Sequence, residues 1–118
     1  MDIFNSVFNK PTINQLDPTR VEAMMQESPK PFLLDVREPD EYKSGHINGA
    51  ELIPLNELSH KLSRIPKNRE IICVCHSGSR SGAAARHLSA AGYRVNNMRG
   101  GMINWARAGL PIKKGMVK

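Results

Sequence analysis

The sequence predicts an α/β domain with a mostly parallel sheet and helices on both faces of that sheet. Short apolar runs alternate along the chain with amphipathic segments, and this order is typical of strand–helix–strand units. The run "EIICVC", residues 70–75, is almost continuously apolar, as expected of a central parallel strand that is covered on both sides. Right-handed crossovers between such strands then place helices on both faces.

We expect one domain across residues 1–118, with its core at about residues 15–112. Hydrophobic residues make up 40% of the chain and charged residues 24%, which are the proportions of a globular protein with its own core. The sequence shows no internal repeat, low-complexity segment or linker.

A helix and a buried strand are predicted first. The stretch "NQLDPTRVEAMMQES", residues 14–28, contains a helix for which Asp17 suits the N-cap and Pro18 the first helical position. The stretch "PFLLDVR", residues 31–37, is an apolar run bounded by prolines and predicts a buried strand. The helix has three apolar residues that should face the core: Val21, Met24 and Met25.

The middle of the chain predicts shorter elements. "EPDEYKSGHINGA", residues 38–50, indicates a helical turn followed by glycine breakers, and "ELIPL", residues 51–55, indicates a short strand. "NELSHKLSRIP", residues 56–66, is amphipathic and predicts a helix that Pro66 ends. The apolar face of this helix consists of Leu58, Leu62 and Ile65.

After the central strand, the pattern predicts a helix, a strand and a final helix. The alanine-rich stretch "SGAAARHLSAAGY", residues 81–93, should pack closely against the sheet. "RVNNM", residues 94–98, is a weak last strand, and "GGMINWARAGLPI", residues 100–112, is the final helix. Two residues close that helix: Gly109 and Pro111.

The composition argues against several classes of partner. Lys and Arg outnumber Asp and Glu by 17 to 11, but there is no dense basic block and aromatic residues are only 5%. We therefore expect no nucleic-acid partner and assign most of the excess charge to a solubilising surface. No apolar run is long enough to span a bilayer, so we expect no membrane partner.

The two cysteines indicate a reducing compartment. Cys73 and Cys75 lie two residues apart on one predicted strand, where a disulfide would be strained, so both should be free thiols. The first ten residues, "MDIFNSVFNK", lack the basic region and apolar stretch of a secretion signal, although a signal already removed would leave no trace. We expect the cytoplasm.

Cys75 stands where ligands bind in parallel sheets, at the carboxyl end of a central strand. The loop "HSGSR" leads from it into a helix, whose first amides lack intrahelical partners and favour anions. A thiolate is an anion, so these amides should lower the pKa of Cys75 below the usual thiol value. A thiolate at neutral pH is a nucleophile.

The composition of the loop fits a cradle for negative charge. Gly78 permits backbone conformations that turn amides inward, and the hydroxyl groups of Ser77 and Ser79 can donate hydrogen bonds. Arg80 adds a positive charge whose fork matches anionic oxygens. The residues alone also allow a plainer interpretation, in which Cys75 is a small buried residue, as Cys73 is expected to be.

The residues do not indicate a metal site. Cys73, Cys75 and His76 could supply three ligands, but no second cluster completes a tetrahedral set.

Three stretches of the chain resemble the signatures of rhodanese domains. "LLDVREPDEYKSGHINGAELIP" is similar to their amino-terminal signature, "CVCHSGSRSGAAARHLSAAGY" to their active-site loop and helix, and "MRGGMINWARAGLPI" to their carboxy-terminal signature. The resemblance spans roughly residues 15–112, and the three motifs occur in the family's order. It implies a five-stranded parallel sheet between helices and a sulfurtransferase that works through a cysteine persulfide, without a metal or an organic cofactor.

The resemblance also assigns roles to individual residues. Cys75 matches the nucleophile, and Asp35 and Arg37 match a supporting signature near the site. The loop that should bind the substrate consists of His76, Ser77, Gly78, Ser79, Arg80 and Ser81. Turn and packing positions of the family match Gly45, His46, Gly49, Gly100, Gly101 and Trp105. We expect His46 to be a hydrogen-bonded turn residue and Trp105 to anchor the core.

The implied reaction is a two-step exchange between small partners. Cys75 takes the outer sulfur of thiosulfate or a similar anionic donor, and a thiol or cyanide then accepts it. Arg80, with help from His76, should orient the sulfonate of the donor. We expect a monomer, since no exposed apolar seam suggests a strong dimer.

Three other functions stay open. The chain could be a persulfide carrier that serves a protein donor or acceptor, or a non-catalytic interaction module that has kept the fold. A phosphatase or arsenate reductase of related fold would place an arginine six positions after the cysteine, where this chain has Ser81. With Arg80 one position earlier, the loop should be too tight for a tetrahedral phosphate.

Overall fold

A computed structural model describes residues 12–116 and contains a five-stranded, fully parallel sheet in the order β1-β5-β4-β2-β3. The strands are β1 (Asn14–Leu16), β2 (Phe32–Asp35), β3 (Glu51–Leu52), β4 (Ile71–Val74) and β5 (Val95–Met98). The central strand is β4, as the apolar run predicted, and it pairs with β2 on one side and β5 on the other. The described chain is thus an α/β fold with its most apolar strand in the middle.

In the described part of the chain, three helices and two 3₁₀ turns connect the strands, and a fourth helix follows β5. The helices are α1 (Pro18–Met24), α2 (Pro39–Ser44), α3 (Ser79–Ala90) and α4 (Gly101–Arg107), and the 3₁₀ turns are Leu55–His60 and Leu62–Arg64. Within the described residues no helix is long and apolar enough to cross a membrane. The amino-terminal segment that was compared with a secretion signal, residues 1–10, lies outside the described residues.

Helices cover both faces of the sheet, which confirms the predicted layering. Alternate residues of β4 enter two separate cores, because successive side chains of a strand point to opposite faces. Ile71 and Cys73 pack on the side of α3, against Ala84, Ala85 and Leu88. Ile72 and Val74 pack on the other side, in a core that contains these residues from α1, α2 and α4: Val21, Tyr42, Met102 and Trp105.

The structure corrects the prediction at the start of the chain. The sequence predicts no strand at residues 14–16, which open the stretch that contains the first helix, but these residues form the edge strand β1, which pairs in parallel with β5. Only three residues long and largely exposed, this strand has no apolar run to reveal it. Asp17 does occupy the N-cap of α1, yet its carboxylate contacts the Arg99 guanidinium at 3.1 Å and makes no capping hydrogen bond.

A second correction concerns residues 51–66. The predicted strand 51–55 ends at Leu52, two residues before Pro54, and the predicted helix 56–66 consists of two 3₁₀ turns. Leu58 and Ile65 of that segment are nevertheless buried in the core on the side of α3. The apolar spacing therefore indicates correctly which side chains face the core, where Leu62 is only partly buried, but it does not determine the backbone hydrogen bonding.

Candidate functional site

The sulfur of Cys75 lies directly beyond the carboxyl end of β4, where the loop into α3 folds back over it. The Gly78 amide donates a hydrogen bond to Sγ at 3.1 Å, and the Ser81 hydroxyl donates another at 3.3 Å. Gly78 has φ +101°, a left-handed conformation that glycine adopts without strain. This conformation turns the loop inward, so the sulfur of Cys75 is surrounded by hydrogen-bond donors and is fully buried.

These donors lower the pKa of Cys75. Burial is the largest single influence and acts to raise the pKa, because it penalises the charged form. The Ser81 hydroxyl and the amides of Ser81, Gly78 and Ser77 act in the opposite direction, and together they bring the pKa below the usual value of a cysteine. The loop therefore favours the thiolate.

Cys73 provides an internal comparison. It lies on the same strand and the same face, two residues before Cys75, and it is also a fully buried free thiol. Burial raises the pKa of Cys73 far above its usual value, with a smaller contribution from the nearby charge of Cys75. The contrast shows that the loop, and not the strand, makes Cys75 acidic.

The first turn of α4 donates backbone hydrogen bonds to the two residues that follow β4. The Met102 amide donates to the Cys75 carbonyl at 2.9 Å, and the Ile103 amide donates to the His76 carbonyl at 3.1 Å. Gly101, at φ +60°, allows this close approach, since a Cβ there would lie 2.4 Å from the carbonyl oxygen of Cys75. The absence of a side chain at Gly101, the first residue of α4, is thus a packing requirement of the site itself.

The predicted loop residues fall into three groups by burial. His76, Ser77 and Ser79 are exposed, while Gly78 and Arg80 are half-buried. Ser81 is buried, and its hydroxyl donates to the sulfur. Ser77 acts on the sulfur through its backbone amide.

Arg80 is held by an acidic residue that the sequence did not reveal. Its guanidinium donates to both carboxylate oxygens of Glu41, at 2.7 and 2.8 Å. This bond is the largest influence on Glu41 and lowers the pKa of its carboxyl to about 2, so the pair stays ionised at neutral pH. Glu41 also accepts from the Glu38 amide in the capping box of α2, and Arg80 is therefore tied to the first turn of that helix.

Asp35 and Arg37 form a buried ion pair just after β2. The Arg37 guanidinium donates to the Asp35 carboxylate at 2.8 to 3.1 Å and also to the Gly45 carbonyl at 2.8 Å. The pair ties the end of β2 to the turn that follows α2, and its supporting role at the Cys75 site stays a prediction.

Trp105 is a core residue, as the sequence predicted, and His46 is hydrogen-bonded at the turn after α2, as expected, but is also buried. The His46 ring is fully buried, stacks on Tyr42 with ring centroids 3.7 Å apart, and its Nδ1 lies 2.8 Å from the Tyr42 carbonyl. Trp105 is 1% exposed, and its indole nitrogen donates to the Pro111 carbonyl at 2.9 Å. Among residues 12–116, no three His, Cys, Asp or Glu side chains are grouped as metal ligands would be.

Comparison with known proteins supports the same family as the sequence motifs. A rhodanese-like domain model matches residues 17–108. A sulfurtransferase of Allochromatium vinosum is 39% identical over 101 residues, which cover 85% of this chain and 94% of that protein. A putative sulfur carrier protein, YrkF, of Bacillus subtilis is 43% identical over 74 residues, which cover 62% of this chain and 40% of that protein.

Comparison with solved structures points to the same family. A crystal structure of thiosulfate sulfurtransferase from Pseudomonas aeruginosa matches with a TM-score of 0.79 at 28% identity, over 90% of this chain and 20% of that chain. The five-stranded parallel sheet between helices, the order of the three motifs and the family match agree with one another. The chain therefore belongs to the rhodanese-like domain family of sulfurtransferases and sulfur carriers.

Proposed function

We propose that this chain transfers a sulfane sulfur from thiosulfate, or a similar anionic donor, to a thiol or cyanide through a persulfide on Cys75. The observation that carries the proposal is the pair of donors on the sulfur, the Gly78 amide at 3.1 Å and the Ser81 hydroxyl at 3.3 Å. They favour the thiolate, which is the attacking form in the exchange of sulfur. The two free thiols support a reducing compartment such as the cytoplasm.

In the first step the Cys75 thiolate attacks the outer sulfur of thiosulfate. A new S–S bond forms, the bond between the two sulfurs of the donor breaks, and sulfite leaves with the electron pair. The negative charge then rests on the outer sulfur of the persulfide. The amides at the start of α3 can hold that charge as they hold the thiolate, because they are already turned inward.

In the second step the acceptor attacks the outer sulfur of the persulfide. With cyanide the product is thiocyanate, and with a thiolate it is a new persulfide. The Cys75 thiolate leaves with the electron pair of the broken bond and regains its hydrogen bonds from Gly78 and Ser81. No proton is transferred in either step, so the mechanism needs no general base.

The intact mass of the protein tests the proposal directly. After incubation with thiosulfate, we expect the protein to gain the mass of one sulfur atom and to lose it again when cyanide or a thiol is added. The gain should be absent from Cys75→Ser. A protein whose mass does not change, or a Cys75→Ser variant that still gains sulfur, would refute the proposal.

Arg80 should orient the donor by its charge. We expect Arg80→Ala to raise KM for thiosulfate by about tenfold, equivalent to about 1.4 kcal/mol of binding, as for one charge-assisted hydrogen bond. The value of kcat should change less, because the nucleophile stays intact. Steady-state kinetics with thiosulfate as the varied substrate measures both constants.

Glu41→Gln is the matched control for Arg80. It keeps the size and shape of the side chain but removes the negative charge that now neutralises the guanidinium. If the cation binds the donor, KM for thiosulfate in Glu41→Gln should be equal to or below that of the wild type. An unchanged KM in Arg80→Ala, or an equal rise in both variants, would show that the pair only supports the loop.

A persulfide carrier is the second candidate, and the burial of the sulfur favours it. Cys75 is 0% exposed, so any donor must displace part of the loop to reach it, and a protein partner could supply that contact. The similarity to a putative sulfur carrier points in the same direction. Slow transfer to cyanide together with rapid loading from a cysteine desulfurase would identify the carrier.

A further inference from the structure

Asn97 is a buried polar residue in the middle of β5. It is 3% exposed, and its register partner on β4 is Cys73, so its side chain lies on the face of the sheet that α3 covers. Its Oδ1 atom is buried and accepts no hydrogen bond from any described residue. A buried amide that is only half satisfied destabilises a fold, and its presence calls for a reason other than packing.

The other half of this amide reaches the loop over Cys75. Nδ2 of Asn97 donates to the Gly78 carbonyl at 3.2 Å and to the Gln15 side-chain oxygen at 3.1 Å. The Gly78 carbonyl also accepts the first helical bond of α3, from the Gly82 amide at 3.0 Å. Gly78 is therefore held from the sheet as well as from its own helix.

Gly78 is also a residue whose amide donates to the sulfur, at 3.1 Å. Glycine has no side chain to restrict its backbone, so its left-handed φ of +101° must be maintained by the contacts of its peptide groups. We propose that Asn97 is a positioning residue for Cys75: by holding the Gly78 carbonyl, it keeps the Gly78 amide directed at the sulfur. The inference rests on the proposed function only in taking Cys75 as the nucleophile.

Asn96, the neighbour of Asn97, is a matched control. It is also buried, at 6% exposed, and its side chain also makes two hydrogen bonds, with Asn14 and Glu70. Because successive residues of a strand point to opposite faces, it lies away from the Cys75 loop. Replacing it removes a buried amide from the same strand and leaves the contacts of Gly78 in place.

The test compares Asn97→Ala with Asn96→Ala by the pH dependence of Cys75 alkylation with iodoacetamide, using fragment masses to separate Cys75 from Cys73. We expect the midpoint of Asn97→Ala to rise by about one pH unit, with alkylation about tenfold slower below both midpoints, since a hydrogen bond to the thiolate is weakened. Asn96→Ala should keep the wild-type profile. Equal profiles for all three proteins would overturn the proposal.

Gln15→Ala keeps the proposal testable if Asn97→Ala does not fold. Gln15 is exposed, and its removal leaves the core intact while freeing Asn97 on one side. We expect a smaller rise of the alkylation midpoint, and an unchanged midpoint would overturn the proposal in that case. Alkylation measures the ionisation of Cys75 and does not depend on sulfur transfer. A failure of the proposed function would instead appear as sulfur loading of Cys75→Ser, so the two failures are distinguishable.

Discussion

Cys75→Ser is expected to reduce sulfur transfer from thiosulfate by at least about 10³-fold, the scale on which enzymes with covalent intermediates lose activity without their nucleophile. A hydroxyl is far less acidic than a thiol, so the donors that ionise the sulfur leave the serine protonated. A serine oxygen also cannot carry a persulfide. Turnover with thiosulfate and cyanide measures the loss.

The fold should survive this substitution. A serine oxygen at this position can still accept hydrogen bonds from the Gly78 amide and the Ser81 hydroxyl, and the contact between the residue 75 carbonyl and Met102 is a backbone one. Cys73→Ser is the matched control: it makes the same change inside the core, where a hydroxyl costs about 1–3 kcal/mol of stability but the nucleophile is untouched. Wild-type turnover in Cys75→Ser would contradict the assignment, as would loss of sulfur loading in folded Cys73→Ser.

The small size of the loop also bears on the choice between sulfur and phosphate chemistry. The Gly78 amide lies 3.1 Å from the sulfur of Cys75, and Arg80 points to Glu41 on α2. The ring of donors is thus filled by a single sulfur atom, and the Arg80 guanidinium, which binds Glu41, is not one of these donors. Both features favour transfer of one sulfur atom over binding of a tetrahedral oxyanion within the ring.

The sequence predicted those strands that carry a continuous apolar run. Residues 70–75 and 31–37 become β4 and β2 because burial on both faces leaves a strong signal in the sequence. Residues 14–16 could not be recognised, because an exposed edge strand of three residues is defined by its hydrogen bonds to β5 alone. For residues 56–66 the sequence predicts the wrong kind of helix, since apolar spacing is similar in α-helices and consecutive 3₁₀ turns.

The candidate site was predictable where it is local in the chain. Cys75 and Gly78 belong to one short loop between a strand and a helix, so the sequence places them together. Glu41 and Asn97 contact the same loop from positions 39 and 19 residues away, and their partners depend on the arrangement of the whole sheet. A polar residue in a weak strand, such as Asn97, was the one sequence signal that could have indicated a role in the site.

Gly101 should be the glycine that the site tolerates changing least. It has φ +60°, and a Cβ there would lie 2.4 Å from the Cys75 carbonyl oxygen and 2.6 Å from the His76 carbonyl group, all of them backbone atoms that cannot turn aside. Any side chain must therefore push the end of β4 away from α4. That movement would break the hydrogen bonds by which α4 holds the carbonyls of Cys75 and His76.

We expect Gly101→Ala to lower the free energy of unfolding by about 3 kcal/mol, of which about 1 is left-handed strain and about 2 is overpacking. Gly109→Ala is the matched control, since Gly109 has φ +70° but nothing within 4 Å of its Cβ position, and it should lose only the strain, about 1 kcal/mol. Denaturant unfolding measures both values. Sulfur loading at pH 7, measured without denaturant, should fall in Gly101→Ala alone, because the displaced loop no longer favours the Cys75 thiolate. Equal losses of unfolding free energy in the two variants would show that a methyl group at position 101 causes no overpacking, and would contradict the prediction.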